Sequence, residues 1–124
     1  MTDAGNPPER RFTMELTVDK QTQATIVAAK GKLDAAGAPE LETRCKALIQ
    51  EGATRLLLDF AQVEYVSSAG LRSLLVLAKA VKSAGGGLAL CGLVPAVRDV
   101  MSISGFDNIL PLAADRAAAL DLLK

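Results

Sequence analysis

The chain has 124 residues, half of them apolar, with 14 basic and 14 acidic side chains and no histidine. This length suits one domain that buries roughly two thirds of its unfolded surface. Zero net charge and 3% aromatic content argue against nucleic-acid binding, and the missing histidine excludes Ser-His-Asp and Cys-His catalysis and His-ligated metals.

Residues 1–11 are polar, contain Pro7-Pro8 and read as a disordered tail. This stretch has no apolar core of its own, so it is not read as a signal peptide. Nowhere does the chain hold a run of about 18 apolar residues, so no membrane insertion is expected. The expected compartment is the cytoplasm. Phe12, Met14, Leu16 and Val18 alternate with Thr13, Glu15, Thr17 and Asp19, the period of a half-buried strand. After a polar turn at Lys20–Gln23, Ala24–Lys30 predicts a second strand, antiparallel to the first because the link is short. Gly31-Lys32-Leu33-Asp34 breaks that pattern. The next helix is expected over Ala38–Glu51, with Pro39 in its first turn and Leu41, Cys45, Leu48 and Ile49 on one face. Gly52 ends it.

Arg55–Phe60 is a continuously apolar short strand, as for one covered on both faces. A helix over Ser68–Ala84 follows. Leu71, Leu74, Leu75, Ala78 and Val81 are expected to share its buried face, and Arg72, Lys79 and Ser83 the opposite one, with Val76 among them. Gly85-Gly86-Gly87 stops that helix. These glycines follow a helix, precede a strand and lack Lys-Ser/Thr, so they do not form a phosphate loop. Leu88–Cys91 predicts a fourth strand and Pro95–Ser104 a helix closed by Gly105. Ile109–Leu112 predicts a fifth strand, and Asp115 caps a last helix over Arg116–Leu123. The order β-β-α-β-α-β-α-β-α implies an α/β fold. Its sheet of about five strands is mostly parallel, with an antiparallel first hairpin and helices packed on it.

In such a sheet, function collects at the carboxyl ends of the strands. Three segments fall there: Gly31–Gly37, Gln62–Gly70 and Gly92–Pro95. Asp34 and Glu64 are the acids in them, and Asp59 lies at the end of its strand. An acid/base pair of Asp34 and Glu64 is one reading, and two solvated loop carboxylates are the other. Cys45 and Cys91 are isolated in apolar patterns and read as reduced structural residues. Ser67 and Ser68 stand at a strand-to-helix junction. Two readings apply to this pair. One is a plain N-cap. The other is a phosphate site, held beside free backbone N–H groups and the positive end of the helix dipole.

The stretch Asp59-Phe60-Ala61-Gln62-Val63-Glu64-Tyr65-Val66-Ser67-Ser68-Ala69-Gly70-Leu71 resembles the signature of the STAS domains, the anti-sigma factor antagonists. That signature reads roughly Asp-Leu-Ser-x-Val-x-x-x-Asp-Ser-Ser/Thr-Gly-Leu. Gly31-Lys32-Leu33-Asp34 resembles the family's Gly-x-Leu-Asp segment. Gly105-Phe106 and Ile109-Leu110-Pro111-Leu112, with the terminal helix, resemble its C-terminal end. The resemblance covers residues 12–124. It implies a bacterial regulatory module without enzymatic activity or cofactor. The unphosphorylated form would bind an anti-sigma factor that is also a serine kinase and so release a sigma factor. Phosphorylation of the serine at the start of the second helix would block binding, and a serine phosphatase would restore it.

Aligned here, the phosphorylated serine falls on Ser68, with Ser67 as the other hydroxyl. The sequence carries Ser67 where well-known members carry Asp, Ala69 for Ser/Thr and Ala61 for Ser. The partner surface this predicts comprises Asp34, Glu64, Ser67, Ser68, Gly70, Arg72, Val76 and Lys79. The departures from the signature motivate an alternative: a non-phosphorylated STAS subunit of an ABC-type transporter or sensory complex. A small enzyme of the same architecture is a third reading, disfavoured by the absence of histidine, metal spacing and a phosphate loop.

Overall fold

A computed structural model describes residues 14–123. The 1–11 tail, together with Phe12 and Thr13 of the first predicted strand, lies outside the described residues. The elements are β1 (Met14–Lys20), β2 (Thr25–Leu33), α1 (Ala38–Gln50), β3 (Arg55–Val66) and α2 (Ser68–Ser83). They continue with β4 (Gly87–Cys91), α3 (Pro95–Ser104), a 3-10 turn at Phe106–Asn108, β5 (Leu112–Ala113) and α4 (Arg116–Leu122). Among the described residues the strands form one five-stranded sheet in chain order, β1-β2-β3-β4-β5. β1 and β2 are antiparallel, from Met14↔Gly31 to Lys20↔Thr25, and the remaining pairs are parallel. The sheet and helix order are those expected from the sequence.

The apolar run of β3 divides by parity between two cores. Leu56, Leu58 and Phe60 join a large cluster with Leu41 and Cys45 of α1, Leu74 and Leu77 of α2, and Val97 and Met101 of α3. Leu57 points the other way, into a smaller cluster with Ile26, Ala89, Cys91, Ala119 and Leu123. Three helices therefore cover one face, and α4 covers part of the other. This is why β3 is apolar at consecutive positions while β1 alternates. In β1, Leu16 and Val18 pack on the large core, and Glu15, Thr17 and Asp19 are exposed.

Five expectations need correction. β2 does not stop at Lys30 but runs through Gly31 to Leu33, and β3 runs beyond Phe60 to Val66, because the two keep pairing across two irregular steps in register. Asp59 is consequently inside its strand rather than at its end. The buried face of α2 comprises Gly70, Ser73, Leu74, Leu77 and Val81, while Leu71, Leu75 and Ala78 are half-buried. The helix is turned because it packs on α1 as well as on the sheet: the Ser73 hydroxyl donates to Glu42 Oε1 of α1 at 3.0 Å. A polar residue can then lie in the helix interface at little cost. The fifth strand begins only at Leu112, since the Ile109 and Leu110 N–H groups both bond back to Phe106 O and close a turn. Gly105 ends α3 in the left-handed conformation, φ 80°, which only glycine adopts freely.

Candidate functional site

β3 pairs with β4 only as far as Asp59↔Cys91, whereas its pairing with β2 continues to Leu33↔Val66. Past Asp59, β3 is therefore paired only with β2, which β1 flanks as far as Met14↔Gly31. Among the described residues, Lys32–Leu33 and Tyr65–Val66 extend beyond both neighbours as a short ribbon at the carboxyl end of the sheet. β3 holds one more residue than β2 between Ala28↔Asp59 and Lys30↔Gln62, and another between Gly31↔Val63 and Lys32↔Tyr65. These are bulges, which re-aim side chains and often lie beside functional sites. Here they break the two-residue alternation: Val63 and Val66 are both buried, and Glu64 and Tyr65 between them are both exposed.

The ribbon delivers the chain to α2 with its first turn already anchored. Ser67 N–H donates to Leu33 O at 2.9 Å, and Leu71 N–H closes the first helical bond on Ser67 O at 2.9 Å. Ser67 has extended backbone angles, and its Oγ accepts from Gly70 N–H at 3.3 Å, the geometry of an N-cap. Its hydroxyl is also 3.5 Å from Leu33 O, to which it donates. Gly70 lets α2 approach this closely. A Cβ there would run into the Leu33 carbonyl oxygen and come within 2.8 Å of Leu33 Cγ. Ser68 is the first residue of the helix. It is exposed, and its hydroxyl bonds to no described residue. The two serines thus differ: one is consumed in a cap, and the other is free.

Asp34 follows Leu33 directly and is half-buried. Its carboxylate accepts from Gly37 N–H at 2.9 Å and Ala36 N–H at 3.1 Å. The Gly37 N–H is the largest influence holding its pKa below the usual 3.8, ahead of opposing burial. Asp34 therefore shapes the loop that leads to α1. Glu64 is exposed on the ribbon, and no hydrogen bond or ion pair joins it to Asp34. An acid/base pair gets no support from this arrangement. Arg72 and Lys79 are exposed on α2 as predicted. Val76 is half-buried, so it is less available as an anchor than its polar neighbours suggest. Asp59, the third acid, is held by Arg116 Nε at 2.7 Å and accepts from Ala61 N–H at 3.0 Å.

Tyr65 was not among the predicted site residues. It is 50% exposed, next to Glu64 and two residues before the cap. The strand expected from the sequence ends at Phe60 and leaves Tyr65 beyond it; the bulge between Gly31↔Val63 and Lys32↔Tyr65 turns it outward. Both cysteines are free and buried, and burial pushes the Cys45 thiol up to about 12 and Cys91 to about 11. Among the described residues, no group of His, Cys, Asp and Glu is placed to hold a metal ion, and no helix is long and apolar enough to cross a membrane.

The family model of the STAS domain matches residues 15–119. The chain belongs to the STAS domain family. BtrV of Bordetella bronchiseptica, by its name a candidate anti-sigma factor antagonist, is 41% identical over 111 residues, covering 90% of this chain and 96% of BtrV. An anti-sigma factor antagonist from Mycobacterium paratuberculosis superposes with a TM-score of 0.80 at 24% identity, over 89% of this chain and 93% of the other. SpoIIAA, described as an anti-sigma factor antagonist in its unphosphorylated form, gives 0.73 at 20% identity over 87% and 96%. The phosphorylated form of the Bacillus SpoIIAA gives 0.66 at 19% over 87% and 98%. At these identities the structural likenesses establish the fold. In this STAS domain the signature segment is the end of β3 and the first turn of α2, and Ser67 does the capping.

Proposed function

We propose that this STAS domain is an anti-sigma factor antagonist switched by phosphorylation of Ser68. The observation that carries the reading is the free, exposed Ser68 hydroxyl at the first position of α2, beside a Ser67 hydroxyl already committed to the cap. The name of BtrV and the description of SpoIIAA as an antagonist with a phosphorylated form support it. Unphosphorylated, the domain binds an anti-sigma factor with serine-kinase activity through the ribbon end, the Asp34 loop and the Arg72 side of α2. A serine phosphatase resets it. A phosphate on Ser68 adds nearly two negative charges. The N-terminal N–H groups and dipole of α2 favour that charge, so the fold tolerates it. The docked partner faces like-charge repulsion and a desolvation penalty instead. A hundredfold loss of affinity requires only about 2.7 kcal/mol.

The test is titration of the cognate anti-sigma factor with wild type, Ser68→Ala, Ser68→Asp and Tyr65→Ala, with mass mapping of the phosphorylated protein. Ser68→Ala should bind like wild type and resist phosphorylation. Ser68→Asp should bind about a hundredfold more weakly. Tyr65→Ala should lose affinity as a truncated aromatic anchor does, about 1–3 kcal/mol. Wild-type affinity in Ser68→Asp, or phosphate mapped to Ser67, would overturn the reading.

A further inference from the structure

The sheet has an unfinished edge at its opposite end. β5 contacts β4 only at Leu90↔Leu112 and Cys91↔Ala113. Gly87, Leu88 and Ala89 have β3 on one side and no strand among the described residues on the other. Along a parallel strand, successive residues direct their peptide groups to opposite edges. Gly87 N–H donates towards β3, to Thr54 O at 2.9 Å. Leu90 N–H and Gly92 N–H donate the other way, to Pro111 O at 2.9 Å and Ala113 O at 3.2 Å. By this alternation the Leu88 N–H and C=O face the open edge, and no described residue bonds them. Leu88 is 5% exposed, and unpaired peptide groups at such a site are costly.

That edge lies at the floor of a groove of about 460 Å³. Leu75 and Ala78 of α2 wall it on one face of the sheet, and Leu122 and Leu123 at the end of α4 wall it on the other. Ile109 and Leu122, 54% and 51% exposed, both line this groove and add to its apolar surface. The charged residues that line the groove are Lys79 and Lys82, with no carboxylate among its lining.

We propose that this edge of β4 binds a short extended segment of a partner protein, apolar in its middle and acidic at its ends, as an added strand. An extended chain supplies the donor and acceptor that Leu88 lacks, while a helix has its own peptide groups satisfied. Walls on both faces call for apolar side chains at successive positions, and the two lysines select acidic flanks. A second copy of this chain is a poor occupant, because edge-to-edge pairing brings both copies' Lys79 and Lys82 together. This groove shares Lys79 with the partner surface predicted on α2, but it lies away from Ser68 and does not depend on the proposed switch.

The probe is a capped heptapeptide with a Val-Ile-Val centre and glutamate flanks, titrated into the whole protein and followed by amide chemical shifts. The expected result is saturable shifts centred on Leu88, Ile109 and Leu122. Lys82→Glu should weaken binding about tenfold, as reversal of one close charge does, and Leu122→Arg should abolish it. A probe N-methylated at its central residue should also lose affinity, which pure apolar contact would not require. Both protein variants change exposed side chains, and dispersed spectra verify that they fold. The proposal is overturned by the absence of saturable shifts up to about 1 mM, equal affinity for a lysine-flanked peptide, shifts confined to the Ser68 end, or a dimer that Leu122→Arg dissociates.

Discussion

Two adjacent hydroxyls of the same chemistry take different roles one residue apart. Ser67 precedes the first helical residue, so its Oγ falls over the Gly70 N–H. Ser68 is already helical and exposed, and its hydroxyl bonds to no described residue. The two residues therefore separate in experiment. Ser67→Ala should destabilise the domain by about 1 kcal/mol in urea denaturation, as lost caps do, and Ser67→Asp should retain the cap. Ser68→Ala should leave the denaturation midpoint unchanged. Equal losses at both positions would refute the division of roles. The serine pair was legible in the sequence, but its two readings stayed open there. Capping depends on which residue last holds extended angles, and that was decided by the Leu33 carbonyl accepting the Ser67 N–H from another strand.

At the scale of elements, α1 and α2 are joined by a side-chain hydrogen bond, Ser73 to Glu42, as well as by apolar packing. Glu42 accepts from Ser73 and pairs with Lys46 at 3.0 Å, and these contacts hold its pKa below the usual 4.5. Asp34 is held low mainly by the Gly37 N–H at the entry to α1. A carboxylate with a depressed folded pKa stabilises the fold above its unfolded value, and the benefit disappears as pH falls through the folded one. Stability should therefore decline on acidification from about pH 5 through the carboxylate range. Asp34→Asn should show a shallower decline between pH 5 and 3 in urea titrations than wild type. An identical acid limb would show that the loop carboxylate contributes nothing. The helices themselves were read closely from sequence, because Pro39, Gly85 and Gly105 are local stop and start signals. The face of α2 was not, because Ser73 is buried by a partner on α1, outside any local pattern.

Across the whole molecule the two faces of the sheet are unequally covered. The large core takes residues from three helices, whereas the second core rests on α4 with little beyond Ala119 and Leu123. Arg116 ties α4 to Asp59 with a partly exposed ion pair, worth no more than about 1 kcal/mol. α4 should therefore open before the rest. Native-state hydrogen exchange should find its amides, Ala119–Leu122, protected by less free energy than those of Leu56–Leu58 in β3. Equal protection would mean that both layers unfold together. The sequence by itself determined the α/β class, the order of elements and the motif at the start of α2. Those follow from periodicity and from glycine and proline positions, all short-range signals. Only the tertiary structure decided how far β2 and β3 extend and that bulges expose Tyr65. It also decided that Ser68 rather than Ser67 is free, and that Gly87–Ala89 of β4 have no strand on one side among the described residues. Each of these turns on which peptide groups meet across strands distant in the chain, and periodicity within one segment carries no record of that pairing.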